Sequence, residues 1–193
     1  MNPLTNAIVV ALIQVLIVCS LGAKLLYDRR THPQAWFKTE RYDPNLPIRG
    51  RYLSLQIEVN DPRSPEELQQ KFGNEIQMYE NVRNQYRTFY NFGRECGSIA
   101  VRDGKPSALF DSSPGWNCDN LTLERWRHNE QTVLRVTEPV LFFIADTAKD
   151  PSRSPAGDEL WVLATIPRKG PPRPITLGVK KAGQAAITPL SLD

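Results

Sequence analysis

At 193 residues, with 40% hydrophobic side chains, the chain suits one folded domain plus an appendage. Its 24 Lys and Arg against 21 Asp and Glu leave a net charge of +3 with both signs interspersed, and no basic stripe with interleaved aromatics marks a nucleic-acid-binding protein. The 16 prolines fall between apolar runs rather than inside them, the distribution of a loop-rich, mostly β protein.

The N-terminus carries the clearest local pattern. Residues 7–23 (AIVVALIQVLIVCSLGA) are apolar except for Gln14 and Ser20. Adding residues 24–27 brings the stretch to the roughly 20 residues that a helix needs to cross a bilayer. Lys24 can snorkel to the headgroups, and Tyr27 suits the interface. A cleaved signal peptide is the competing reading. The leader MNPLTN lacks a basic residue, however, and no good cleavage site follows, so residues 1–28 are expected to form an uncleaved single-pass anchor. Lys24, Arg29 and Arg30 all follow the span, and that bias alone would leave the rest of the chain in the cytoplasm. The cysteines oppose it. Cys19 lies in the span, while Cys96 and Cys118 occupy turn-like settings in the soluble part. A bridge between them would close a loop of about twenty residues and add about 3 kcal/mol through loop entropy. Two separate thiols are the alternative.

Residues 29–47 read as a polar linker, with Trp36 and Phe37 near enough to touch the membrane interface. Beyond Arg49-Gly50-Arg51 the chain alternates. Leu53, Leu55, Ile57 and Val59 share one parity, and Tyr52, Ser54, Gln56 and Glu58 the other, as in a half-buried strand. Ser64–Phe92 reads as one long amphipathic helix. Ser64 caps it, Pro65 takes the first position and Glu67 completes a capping box. Leu68, Phe72, Ile76, Tyr79, Val82, Tyr86 and Tyr90 recur at steps of three or four, and Gly93 supplies the stop.

The remainder reads as β structure. Strands at Ser98–Val101 and Ser107–Phe110 flank the hairpin signal Asp103-Gly104. Asp111–Asn120 is a turn-rich loop. Leu121–Arg127, Thr132–Val136 and Val140–Ala145 are strands, the last apolar on both parities and so expected in the middle of the sheet. Residues 146–158 form a long polar loop. Strands Glu159–Ile166 and Ile175–Lys180 are joined by the segment PRKGPPRP, and Gln184–Thr188 is a short final strand. The expected fold is α+β: one β-rich domain over residues 48–193, an antiparallel sheet or sandwich with a long helix packed on it.

Chemistry is sparse. The two histidines, His32 and His128, lack a second His or Cys at metal-ligand spacing, so neither a metal nor a cofactor is expected. Asp111, Ser112 or Ser113, and His128 are the residue types of a hydrolytic triad. No G-x-S-x-G elbow frames a serine, which makes an envelope hydrolase the second choice. A membrane-anchored Ser/Lys peptidase needs a serine soon after the span, and residues 29–45 contain none. Glycine-rich phosphate loops are absent. Arg168, Lys169 and Arg173 on the proline-rich connection are candidate contacts to a partner, with a stiff strand connection as the plainer reading.

Three stretches together carry a resemblance. The span is followed by Asp43-Pro44 and then by Arg49-Gly50-Arg51-Tyr52-Leu53-Ser54-Leu55. The last third runs IPRKGPPRPITLGV and continues with Gly183, Ala185, Ile187 and Leu190. In these residues the chain resembles the GDYXXLXY-domain family of bacterial membrane-anchored proteins. Gly50, Tyr52 and Leu55 match its strand motif around Leu53, whereas Arg51 stands in place of an acid and the final tyrosine is either replaced by Ile57 or displaced. The resemblance implies no established catalytic activity and an accessory or scaffold role beside other membrane proteins. It also implies a domain on the periplasmic side of a bacterial inner membrane. The expected partner is therefore another membrane or envelope protein, with no small-molecule substrate identifiable. A structural domain whose partner is the bilayer itself is the remaining alternative.

Overall fold

The N-terminal apolar run is one helix, α1 (Pro3–Thr31). None of its candidate spanning segment, Asn6–Thr31, is buried. A helix apolar all round finds no core to enter, and this one is long enough to cross a bilayer, as an anchor or as a signal. The computed structural model describes residues 3–42, 51–83, 90–114, 117–128, 131–145, 155 and 157–191. The chain divides into two compact units, Met1–His32 and Pro33–Asp193.

The second unit is built from β1 (Gln34–Tyr42), β2 (Arg51–Val59), α2 (Pro65–Arg83), β3 (Tyr90–Arg102), β4 (Lys105–Pro114) and β5 (Leu121–His128). It continues through β6 (Gln131–Val136), β7 (Val140–Ile144), β8 (Glu159–Thr165), β9 (Arg173–Lys180) and β10 (Thr188–Pro189). These strands form an antiparallel sheet in the order β10-β9-β8-β1-β2-β6-β5-β3-β4, with β7 on β2. The α+β expectation of an antiparallel sheet with a helix holds at this level. At β2 the sheet forks: Arg51–Leu55 pair with β7, and Glu58 and Val59 pair with β6. Just past β2, the Asn60 N–H donates to Pro106 O (2.9 Å), and Asn60 O accepts from the Ala108 N–H (3.0 Å). Strands β2, β6, β5, β3 and β4 therefore curl until the last meets the first, around a core that includes Leu55, Ile57, Leu123 and Val136.

Several expectations need correction. Residues 34–42, expected within the linker, are a central strand flanked by β2 and β8. Phe37 is fully buried in the core and does not touch the membrane interface. α2 ends at Arg83, and Tyr90–Phe92, expected as its last turn, begin β3 opposite Arg125–Arg127. Tyr and Phe suit strands as well as helices, so an aromatic recurrence that runs from one element into the next hides the boundary. Gly93 does not stop a helix. It sits within β3 at φ 60°, where the register with β5 slips between Phe92 and Glu95. Asp111–Pro114 extend β4 rather than forming a loop. β7 is not central: among the described residues it pairs with β2 alone, and Phe143 is 74% exposed. The final strand is Thr188–Pro189, sharing only Thr188 with the expected Gln184–Thr188. Tyr86 and most of residues 146–158 lie outside the described residues.

Other local readings hold. The Ser64/Glu67 capping box is formed: the Glu67 N–H donates to Ser64 Oγ (3.2 Å), and the Ser64 N–H donates to Glu67 Oε2 (2.7 Å). Asp103 (φ 50°) and Gly104 (φ 73°) make the two-residue turn between β3 and β4. Cys96 and Cys118 are bridged, with Cα atoms 5.1 Å apart. A structural disulfide belongs to an oxidising compartment, which points to an extracytoplasmic domain.

Of the motif residues, Tyr52, Leu53 and Leu55 lie on β2, with Leu55 in the core. Gly50 and the preceding Asp43, Pro44 and Arg49 lie outside the described residues. Gly178 has a packing role. A Cβ there would sit 2.6 Å from Ile187 Cγ2 and 2.8 Å from the Trp36 ring. Gly178→Ala is therefore expected to destabilise the domain by about 1–3 kcal/mol, the usual cost of overpacking. A thermal melt superimposable on that of the unmodified chain would show instead that Trp36 and Ile187 yield freely.

Candidate functional site

Strand alternation places Ala35, Phe37 and Thr39 of β1 in the interior and leaves Trp36, Lys38 and Glu40 on the other face. The same parity puts Glu58 of β2, Arg135 of β6 and Trp161 of β8 on that face. Register then sets them side by side, with Lys38 opposite Trp161 and Arg135 opposite both Glu58 and Glu124. The result is a row of opposite charges across the strands. Glu159 accepts from Lys38 (2.8 Å) and lies 3.8 Å from Lys180, Arg135 meets Glu40 and Glu58, and Arg94 reaches Glu124 (3.3 Å). Two tryptophans are tied into it, as Trp161 Nε1–H donates to Glu159 (3.3 Å) and Trp126 Nε1–H to Glu124 (3.0 Å). Cross-strand pairs of this kind stabilise a sheet and specify its register.

Part of this row lines an open groove of about 920 Å³. Trp36, Lys38, Glu58 and Trp161 come from the sheet, Leu68 and Ile76 from α2, and Lys105 and Pro106 from the start of β4. Burial pushes the Glu58 carboxyl above its ordinary range, against the opposing charges of Lys38 and Arg135. The hydrogen bond from Lys38 holds Glu159 below its ordinary range, and the same bond raises Lys38. The groove thus sets two tryptophans beside charged groups of both signs.

At the groove's edge Asp61 and Arg63 lead into a buried ionic cluster. Arg125 of β5 is fully buried. Its Nε–H and Nη2–H groups donate to Asp61 Oδ2 (2.9 and 2.7 Å), and its Nη1–H groups to Gly93 O (2.8 Å) and Glu95 Oε2 (2.9 Å). Arg63 and Lys71 also donate to Glu95. The rings of Phe72 and Phe110 lie 4.7 and 5.3 Å from the Arg125 guanidinium. The cluster ties the start of α2 and the bulge of β3 to β5. Burial alone would raise the Glu95 carboxyl, but the hydrogen bonds from Arg63 and Lys71 and the charge of Arg125 outweigh it and hold the group below its usual range.

A depressed carboxyl contributes stability above its unfolded value, near 4.5, and loses it as the pH falls through the folded value. Glu58 acts oppositely, since its raised carboxyl is relieved of a penalty on protonation. Denaturant titrations of the full chain are expected to show stability falling below about pH 4.5. Glu95→Gln should flatten that acid limb, and an unchanged limb would remove Glu95 from the account.

The residues singled out from the sequence are not gathered at this groove. Asp111 and Ser112 lie on β4 beside the Gly97 end of the β3 pairing, whereas His128 closes β5 just past the Tyr90–Arg127 pair. The stretch Tyr90–Gly97 separates their backbone positions by roughly 20 Å along the strand. Arg168 and Lys169 are exposed on the β8–β9 connection, and Arg173 begins β9. That connection is fastened: the Gly170 N–H donates to Asn120 Oδ1 (2.7 Å), and Pro172 is buried. Among the described residues no group of three His, Cys, Asp or Glu is placed to hold a metal ion. Sequence reasoning did not take Trp36, Trp161, Glu58 or Arg125 as site residues. For Arg125 a signal exists, because it shares the inward parity of Leu121 and Leu123 and so puts a cation at a core position. Comparison of the chain with known protein families, curated proteins and solved structures finds no match.

Proposed function

We propose that this chain is a membrane-anchored binding domain of the bacterial envelope, which associates non-covalently with another envelope protein and catalyses no reaction. The observation that carries the reading is the groove, where Trp36 and Trp161 lie beside Lys38 and Glu58 on a domain that follows an apolar helix. Aromatic anchors flanked by charge suit a protein contact. Tethering to a membrane raises the effective concentration of the domain for neighbours there. The resemblance in residues 49–55 and 166–190 to GDYXXLXY-domain proteins supports the same accessory role. An uncleaved anchor and a periplasmic domain complete the proposal, supported by a leader with no basic residue and no good cleavage site and by the Cys96–Cys118 bridge.

Two experiments test it. Photo-crosslinkers at Gln69 and Lys105, both exposed on the groove, should capture a defined envelope protein in native membranes, and Trp161→Ala should abolish the adduct. Adducts matching those from a probe at the exposed Asn117, away from the groove, would refute the binding role. Topology is read separately with a reporter fused after Asp193 and thiol labelling of Cys96 and Cys118. Both thiols should resist labelling without reductant. Their ready labelling, with a cytoplasmic reporter signal, would reverse the placement.

A further inference from the structure

Chain connectivity brings one surface of the β domain within reach of the bilayer, on the reading that α1 is a retained anchor. Pro33 opens the domain, and its carbonyl accepts from the Ile166 N–H (2.9 Å). From Asp28, at the end of the apolar run, Pro33 is at most roughly 18 Å along the chain, however the two units are arranged. Arg168 and Lys169 follow Ile166 by two and three residues. The start of the domain and the basic tip are thus held together by a backbone hydrogen bond.

The tip is basic. No Asp or Glu occurs between Glu159 and Asp193, a stretch that carries Arg168, Lys169 and Arg173. Arg168 and Lys169 are exposed and have no ion-pair partner among the described residues, and Asp119, beside the anchoring Asn120, pairs with neither. The loop is also ordered in advance. Pro167, Pro171, Pro172 and Pro174 restrict its backbone, Pro172 is buried, and Gly170 is bonded to Asn120 two residues beyond the bridged Cys118. A fixed loop loses little entropy on docking.

We propose that the 167–173 tip docks on anionic phospholipid headgroups beside the domain's own anchor, which orients the groove relative to the membrane. Each basic residue near an anionic surface strengthens such contact roughly fivefold, and salt screens it within about 10 Å at ordinary ionic strength.

The test uses the full chain in nanodiscs of phosphatidylcholine alone or enriched in phosphatidylglycerol, with amine acetylation read at each lysine by mass spectrometry. Lys169 should react about fivefold more slowly in the anionic discs, while Lys105, which opens β4 at the groove, reacts equally in both. About 0.5 M salt should erase the difference, and Arg168→Glu should reduce it. Equal reaction of Lys169 in both lipids, with the protein incorporated, overturns the docking and leaves the anchor reading intact. Protection of Lys169 in native membranes but in neither disc assigns the tip to a protein partner and also overturns it. A chain that stays outside the discs refutes the anchor, and the docking with it.

Discussion

Arg125→Met is expected to lower the stability of the β domain by about 3–5 kcal/mol, enough to leave it largely unfolded at moderate temperature. The reason lies in what remains. Arg125 is fully buried, and its side chain satisfies Asp61, Glu95 and the Gly93 carbonyl together. Methionine removes every one of these donors and leaves Asp61 with Arg63, and Glu95 with Arg63 and the half-exposed Lys71. Breaking a buried pair from one side costs far more than the pair contributes net, because the charge left behind stays desolvated. Arg125→Lys should recover only part of the loss, since an ammonium cannot reproduce the planar fork or its packing against the two phenylalanine rings. Converting Asp61 to Asn and Glu95 to Gln in the Arg125→Met background should regain stability. Denaturant melts of the full chain decide the matter, and a cost below about 1 kcal/mol for Arg125→Met would show that the cluster is not a stabilising pin.

Removing the bridge has the next largest expected effect. The cysteines lie 22 residues apart, and a loop of that size restricts the unfolded chain by about 3 kcal/mol. The Cys96→Ala/Cys118→Ala variant should lose about that much, and reductant should destabilise the unmodified chain to the same extent while leaving the variant unchanged. Alanine is the appropriate replacement because Cys96 is only 1% exposed, and a serine hydroxyl there would add a burial penalty of its own. A melt insensitive to reductant would mean that the bridge carries no stability. Its fate in the cell also reports the compartment, since a bridge that stabilises folding must form where thiols are oxidised.

The features legible in the sequence share a short range. The apolar span needs only its own length, and the capping box closes between Ser64 and Glu67. Asp103-Gly104 forms a turn from two residues that accept positive φ, and the alternation of Leu53–Val59 marks a strand without reference to its partners. The misreadings occur where the deciding partner is remote. β1 looked like linker because its outward residues, Lys38 and Glu40, dilute the apolar parity, and its partner β8 lies beyond residue 158. β7 looked central because Val140–Ile144 is uniformly apolar, although whether a second strand covers such a run is settled by the path of the whole sheet.

Residue by residue, the sequence determined a spanning-length apolar helix, a β-rich domain with one capped helix, and two cysteines able to bridge. These follow from hydropathy, periodicity and turn chemistry, which act within a few residues. Tertiary structure alone decided that Asp61, Arg63, Lys71, Glu95 and Arg125 share one buried cluster, and that Trp36, Glu58 and Trp161 line one groove. Period-two alternation says which face of its strand a side chain takes. Only strand order and register say which side chains of separate strands meet on that face, and those depend on hydrogen bonds between segments as far apart as β1 and β8.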